Sequence, residues 1–191
     1  MSSKNPQDMA DAVALSMKAR TGRTLEEWVA AVNSSGVDPL DQIAVRRWLK
    51  AEHGVLQNSQ WAIAVAAARA AGWKAPTTEE YIDRQYTGAR AGLRPIFNRL
   101  RTLIEALGDD VRTEGRASYT PFVRRRQFVA IAAATRSRVD VGLRFSSVPK
   151  SKLLVEATAP GQATHKLSLE SESDITNEVR SLLQAAYDQN G

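Results

Sequence analysis

The chain of 191 residues is 43% hydrophobic and 25% charged, carries a formal net charge of +5 and contains no cysteine. This composition is typical of a folded globular protein with one large domain or two small ones. The absence of cysteine excludes disulfide bonds, thiolate zinc sites and cysteine nucleophiles. No apolar run is long enough to span a bilayer, and the first residues lack a signal-peptide core, so we expect a cytoplasmic protein that does not enter a membrane.

The first 75 residues predict a module of four short helices. Pro6 begins the first helix, and Thr24 with Glu27 forms a capping box at the start of the second. Asn58 or Ser59 is expected to cap the fourth. Each helix is predicted to end at a glycine: Gly22, Gly36, Gly54 and Gly72. Helices this short are unstable alone, so they must pack on one another.

A change of pattern near residues 74–78 predicts the boundary between two domains, a helical module over 1–75 and a basic α+β domain over 76–191. This stretch combines a helix stop, a proline and two residues that favour helix starts. A long helix is predicted from about Thr87 to Leu107. Pro95 lies inside it, so the helix either kinks there or begins there.

From Asp109 onward, apolar residues recur with a period of two. The alternation is clearest in residues 129–133, 139–145 and 166–170, and it predicts half-buried strands of a mainly antiparallel sheet. A last helix is predicted from Ser171 or Ser173. The chain is therefore expected to have an α+β fold, in which one long helix and a C-terminal helix flank the sheet.

Positive charge is concentrated between residues 112 and 144, which hold eight arginines but only two acidic residues, Glu114 and Asp140. A planar guanidinium can donate two parallel hydrogen bonds to phosphate or carboxylate oxygens. We therefore predict a non-catalytic binding protein for an anion, with a nucleic acid or another polyanion as the expected partner. The candidate binding residues are Tyr119, Arg124, Arg125, Arg126, Arg136, Arg138, Asp140 and His165.

The geometry expected of this site follows from strand alternation. Within residues 124–126, the outer two arginines project to one side and the middle one to the other. Arg136 and Arg138 are predicted to join them in one cluster that neutralises phosphates, and Tyr119 or Phe122 would offer a plane on which a base stacks. An alternative that stays open is a solvated turn whose arginines pair with nearby acids: Glu114, Asp140, Glu170, Glu172 and Asp174.

Sequence motifs in both domains resemble known families. TLEEWVAAV and VRRWLKAEHG resemble a small helical bacterial domain of unknown function. YTGARAGLRPIFNRL, QFVAIAAATRSRVDVGLRF and THKLSLES resemble a second uncharacterised bacterial family, and the two families together would cover about residues 8–190. The resemblance implies a fusion of two uncharacterised domains and does not indicate an activity. The second family also resembles modules attached to nuclease-like proteins, which implies an association with nucleic acid but no mechanism. It implies eight fixed positions: Phe128, Thr135, Arg138, Asp140, Gly142, Leu143, Thr164 and His165.

Two other classes of function stay open. A module that binds a small molecule or a peptide would place Arg138, Asp140 and His165 around a pocket between the sheet and the long helix. An enzyme would bring Asp140, Glu156 and His165 around one metal ion. Because Glu156 lacks the following lysine typical of nuclease cores, no catalytic residue, metal site or cofactor is predicted. The helical module is expected to dock a protein partner.

Overall fold

The computed structural model describes residues 16–191, so the predicted helix start at Pro6 lies outside the described residues. The chain separates into two compact units, one that ends at Ala75 and one that runs from Pro76 to Gly191. Within the described residues, every helix is too short or too polar to cross a membrane.

The N-terminal unit is helical throughout its described part. Its helices are α1 (Met17–Thr21), α2 (Leu25–Ser34), α3 (Gln42–His53) and α4 (Gln57–Ala70). The capping box predicted for α2 is confirmed, because Glu27 N donates to Thr24 Oγ1 (3.2 Å) and Thr24 N donates to Glu27 Oε2 (2.7 Å). The predicted cap of α4 is wrong. Leu56 occupies the N-cap position there and supplies no side-chain hydrogen bond.

Apolar residues from all four helices form the core of this unit. Fully buried examples are Met17, Val32, Leu49 and Ile63. His53 ends α3 and lies edge-on to two tryptophans, with its ring centroid 5.1 Å from that of Trp28 and 4.7 Å from that of Trp48. Such aromatic contacts add to the area that the helices bury against one another.

The C-terminal unit begins with α5 (Thr78–Gln85), which Thr77 and Glu80 start with a second capping box. A 3₁₀ segment, Gly88–Leu93, follows and leads into α6 (Arg94–Glu105). The predicted single helix over residues 87–107 is therefore divided. Pro95 lies in the first turn of α6, where its missing N–H costs no hydrogen bond, so it marks a helix start rather than a kink.

Six strands follow and form one antiparallel sheet in the order β1-β2-β3-β4-β6-β5. They are β1 (Arg112–Thr113), β2 (Thr120–Val123), β3 (Gln127–Ala133), β4 (Val139–Leu143), β5 (Val155–Glu156) and β6 (His165–Leu169). A 3₁₀ turn, Glu172–Asp174, separates the sheet from α7 (Asn177–Asp188), so α7 begins later than predicted. Thr176 caps α7. The predicted α+β fold is confirmed.

The two faces of the sheet differ in chemistry. On the core face, Val129 and Ile131 of β3 lie opposite Leu143 and Val141 of β4, and they share one apolar core with residues of α6 and α7. The second face carries small or polar side chains: Ala130, Ala132, Asp140, Gly142, Lys166 and Ser168. The connection between β5 and β6 crosses part of this face so closely that a Cβ on Gly142 would lie 2.6 Å from Pro160 O.

Candidate functional site

The eight arginines of residues 112–144 are divided between the two ends of the sheet. The β2–β3 turn, residues 124–126, lies at one end of β3, and the β3–β4 turn, residues 134–138, lies at the other. β3 has seven residues, which at about 3.4 Å per residue separates the two turns by roughly 20 Å. The structure therefore does not bring Arg136 and Arg138 together with the arginines of the β2–β3 turn.

The end of the chain fixes the conformation of the β2–β3 turn. Arg124 N donates to Arg126 O (3.0 Å), and Arg126 N donates to Asn190 O (3.4 Å). The buried Asn190 side chain in turn donates from Nδ2 to Arg144 O (2.9 Å), just past β4. Residues that follow α7 thus hold the β2–β3 turn beside the end of β4.

One arginine of the turn is neutralised. Arg124 Nε lies 2.6 Å from Asp110 Oδ2, and its guanidinium carbon lies 4.1 Å from the centroid of the Tyr187 ring. The hydroxyl of Tyr187 donates to Asp110 Oδ1 at 2.7 Å. The hydrogen bonds from Arg124 and Tyr187 lower the pKa of Asp110 below its ordinary value. Both oxygens of Asp110 are therefore engaged, and Arg124 cannot offer an unpaired charge.

Two neighbouring arginines contact only uncharged oxygens. Arg112 Nη2 donates to the main-chain carbonyl of Arg124 at 3.2 Å, and Arg126 Nη2 donates to that of Gln189 at 3.3 Å. Main-chain carbonyls hold a guanidinium in place but leave its net charge uncompensated. Arg124 and Arg126 both reach main-chain carbonyls at the end of α7, those of Tyr187 and Gln189.

Two further arginines, Arg125 and Arg144, lie at this end of the sheet. Arg144 Nη1 donates to the amide oxygen of Gln162 at 2.6 Å, and the exposed Arg125 side chain has no hydrogen bond or ion pair within residues 16–191. Together with Arg112 and Arg126, these two arginines form a group that we call the hairpin surface: Arg112, Arg125, Arg126 and Arg144. No carboxylate of the described residues neutralises any of the four guanidiniums.

The other end of the sheet holds a buried acid. Asp140 is 5% exposed and lies on the second face. Lys166 Nζ donates to its Oδ2 (2.7 Å) and Ser168 Oγ donates to its Oδ1 (2.8 Å). Arg138 Nε lies 2.9 Å from the same Oδ1, at an angle that makes an ionic contact rather than a hydrogen bond. Arg136, at the tip of this turn, is exposed and has no partner among the described residues.

The protonation of Asp140 is decided by these partners. Burial by itself would raise the pKa of this carboxyl, but the hydrogen bonds from Lys166 and Ser168, with the nearby charges of Lys166 and Arg138, hold it below the ordinary value of 3.8. Asp140 is therefore ionised at neutral pH, and both of its carboxylate oxygens have partners.

The alternative in which the arginines pair with nearby acids is correct in part. Arg116 pairs with Glu114 at 2.7 Å, and Arg138 contacts Asp140. Asp174 instead accepts hydrogen bonds from two main-chain N–H groups before α7, which lower its pKa. The four arginines of the hairpin surface therefore remain outside the predicted pairing.

The expected stacking plane does not form beside these arginines. Phe122 is fully buried on the core face. Tyr119 precedes β2 and so lies at the opposite end of that strand from Arg124. Phe122 therefore offers no exposed plane, and the length of β2 separates Tyr119 from the β2–β3 turn.

His165 and Asp140 lie on different faces of the sheet. His165 pairs with Leu143, a core-face residue, whereas Asp140 pairs with Ser168. Glu156 lies opposite His165. The predicted convergence of Arg138, Asp140 and His165 on one pocket therefore fails, as does an assembly of Asp140, Glu156 and His165. Within residues 16–191, no group of three His, Cys, Asp or Glu residues could hold a metal ion.

Four important partners were not identified from the sequence: Asp110, Tyr187, Lys166 and Ser168. Lys166 and Ser168 alternate with leucines, so their common face could have been inferred. The register of β4 and β6 places Ser168 opposite Asp140 and Lys166 opposite the neighbouring Gly142, and the sequence gives no signal for this register. The contact between Asp110 and Tyr187 joins residues 77 positions apart.

Comparison with known families identifies both parts of the chain. The family described as Domain of unknown function (DUF5655) matches residues 82–190, more than half of the chain, and the protein belongs to this family. A second family, Domain of unknown function (DUF4287), matches residues 10–68. The predicted fusion of two uncharacterised domains is confirmed. No curated protein and no solved structure matches the chain.

Proposed function

We propose that the C-terminal unit binds the phosphate backbone of a duplex nucleic acid through the hairpin surface. The observation that carries this proposal is the set of four guanidiniums at one end of the sheet that no carboxylate of the described residues neutralises. Arginine is well suited to phosphate because its fork of donors can bind two phosphate oxygens at once.

The spacing of these arginines supports a polyanion rather than a single small anion. Arg112 lies in β1, Arg125 and Arg126 lie in the β2–β3 turn, and Arg144 follows β4. Neighbouring strands are about 4.8 Å apart, so the row extends over roughly 14 Å. A duplex carries one negative charge per ~1.7 Å of its axis, and a row of this length would face several phosphates.

Within residues 16–191, the two rings predicted for stacking, Tyr119 and Phe122, lie away from the hairpin surface, which favours a duplex over a single strand as the ligand. Single-strand binders combine a basic groove with rings on which bases stack. The half-buried ring of Tyr187 contacts Arg124, and its hydroxyl donates to Asp110. Contacts to phosphates position a protein without reading sequence, so binding with little sequence preference is expected.

The salt dependence of binding tests this function. Titrating the full chain into a fluorescent DNA duplex and following anisotropy over a salt series should give an affinity that falls linearly on logarithmic axes. The Arg125→Ala/Arg126→Ala double variant should reduce the slope by about 2, because each phosphate contact contributes ~0.9.

Arg136→Ala is the matched control, since Arg136 is also exposed and unpaired among the described residues but lies at the other end of the sheet. Its slope should equal that of the wild-type chain. An affinity that does not change with salt, or an equal loss in both variants, would contradict the proposal.

A further inference from the structure

One strand of the sheet is covered along only part of its outer side. β5 pairs with His165 and Lys166 of β6, whereas the next three residues, Leu167–Leu169, pair with β4 alone. No other strand of residues 16–191 lies beside these three, and we call them the open edge. Unpaired main-chain groups at the edge of a sheet are a template for another extended chain.

Hydrogen bonds of the neighbouring residues show which main-chain groups face outward. Ala157 N donates to Thr164 O at 3.0 Å, on the β5 side of β6. Arg144 N donates to Phe128 O at 3.0 Å, on the β3 side of β4. Because main-chain groups alternate between the two sides of a strand, the even-numbered residues of β4 and β6 face away from each other. The N–H and C=O of Ser168 therefore point to the side on which no strand follows.

The open edge lacks the features that usually protect an edge strand. Such strands carry a lysine, a proline or a bulge, but Leu167–Leu169 contain neither residue and pair with β4 in regular register. Apolar side chains are exposed nearby, since Leu153 is 41% and Val155 is 60% exposed. All the exposed large apolar residues of the C-terminal unit lie within residues 148–155. A local concentration of exposed apolar surface marks an interaction site.

A groove of about 670 Å³ runs along the open edge. Its other lining residues include Leu153, from the turn before β5, and Thr176 and Glu178, from the start of α7. Ser151 Oγ donates to Glu178 Oε1 at 2.7 Å and accepts from Leu153 N at 3.1 Å. These bonds hold the turn against α7, so this wall of the groove is formed without a ligand.

The charge of the groove is negative. Glu170, Asp174 and Glu178 line it, and no lysine or arginine does. Within the described part of the chain, none of the three forms an ion pair, since Asp174 accepts from main-chain N–H groups and Glu178 accepts from a hydroxyl. Neutral donors leave the charge of a carboxylate uncompensated. A positively charged ligand is therefore complementary to the groove.

We infer that the open edge binds an extended basic segment of a partner protein, which joins the sheet as an added strand. The main chain of this segment pairs with Ser168. Its side chains opposite Leu167 and Leu169 are apolar and contact Leu153, and a lysine or arginine at its end pairs with the carboxylates of the groove. The inference does not depend on the function proposed for the hairpin surface.

Synthetic peptides with controlled end charges test this site. In fluorescent peptides of about six residues, valine alternates with threonine, and both ends carry either lysine or glutamate. Titration of the full chain, followed by anisotropy, should show saturable binding of the lysine form, roughly tenfold tighter than that of the glutamate form. The inference is overturned if the lysine form does not bind or if both forms bind equally.

N-methylation of the lysine peptide distinguishes strand addition from simple charge attraction. Methyl groups on alternate amides remove the donors from one side of an extended peptide and leave the other side intact. Methylation in one register should abolish binding, because it removes the donors that face β6. Methylation in the other register should leave the affinity unchanged. An equal affinity of the two methylated forms would contradict strand addition.

Charge reversal at Glu170 tests the position of the site on the protein. Glu170→Lys should reduce the roughly tenfold preference for the lysine peptide to about one. Glu172→Lys is the matched control, because Glu172 is exposed and changes the net charge equally but does not line the groove. The control should keep the preference, and a loss of the same size in both variants would place the peptide elsewhere.

Sedimentation of the full chain tests whether a second copy occupies the open edge instead. A monomer is expected at the concentrations used for titration, because the proposed occupant belongs to another protein. A dimer that the lysine peptide dissociates would show that a second copy fills the edge, and it would overturn the inference of a separate partner.

Discussion

Asp110 and Asp140 bind cations at opposite ends of one sheet, and their surroundings differ. The side chain of Asp110 is 52% exposed and holds Arg124, whereas that of Asp140 is 8% exposed and holds Lys166 and Arg138. Both acids have lowered pKa values. The contrast shows that an arginine-rich segment has no single electrostatic character. Local carboxylates and burial decide which charges are structural and which remain open to a ligand.

The largest effect expected from this contrast is a loss of stability in Asp140→Ala. Removal of the carboxylate leaves two cations and the Ser168 hydroxyl without their acceptor on the second face. Breaking a buried ion pair costs about 3–5 kcal/mol. Lys166 and Arg138 can partly turn to solvent, so we expect a loss of roughly 2–3 kcal/mol, measured by urea unfolding followed by circular dichroism.

Asp110→Ala is the control for this prediction. Exposed ion pairs contribute little to stability because water and salt screen them, so this variant should lose distinctly less than Asp140→Ala. Equal losses of unfolding free energy in the two variants would show that burial does not determine how much each acid contributes to stability.

The fold could be largely predicted from the sequence because its signals are local. The capping box of Thr24 and Glu27 and the alternation in β4 depend on neighbouring residues only. Pro95 indicated a helix start as clearly as a kink, and the choice between them depended on packing that local patterns do not contain. The cap expected at Asn58 or Ser59 failed because the exposed Leu56 begins α4 instead.

The site could be predicted only in part, because its important contacts are distant in sequence. The eight arginines were visible as a basic segment, but hairpin pairing places two groups of them at opposite ends of β3. The sequence leaves a shared pocket for His165 and Asp140 open as an alternative, and only the strand register shows that they lie on different faces. Gln189 and Asn190 hold the β2–β3 turn from the far end of the chain, and no periodicity predicts such contacts.

A smaller change in the free energy of unfolding is expected when the pH is lowered. Because the pKa of Asp140 in the folded protein lies below its ordinary 3.8, its stabilisation is complete above that value and is lost as the pH falls through the folded pKa. The difference in unfolding free energy between wild type and Asp140→Asn should therefore shrink below about pH 4. Urea unfolding at a series of pH values measures it, and a difference that stays constant down to pH 2 or so would contradict the assignment.

The smallest effect on stability is expected for Asp110→Asn. This variant also tests whether the charge of Arg124 contributes to duplex binding. This change removes the carboxylate that neutralises Arg124 and keeps an amide of similar shape. The small loss of stability should vanish in molar salt, where the Debye length is about 3 Å. The released guanidinium should also join the hairpin surface, so that duplex binding strengthens and its salt slope steepens by up to ~0.9. Binding that weakens would mean that Asp110 orients the turn for its ligand, because a neutralising role alone predicts a gain.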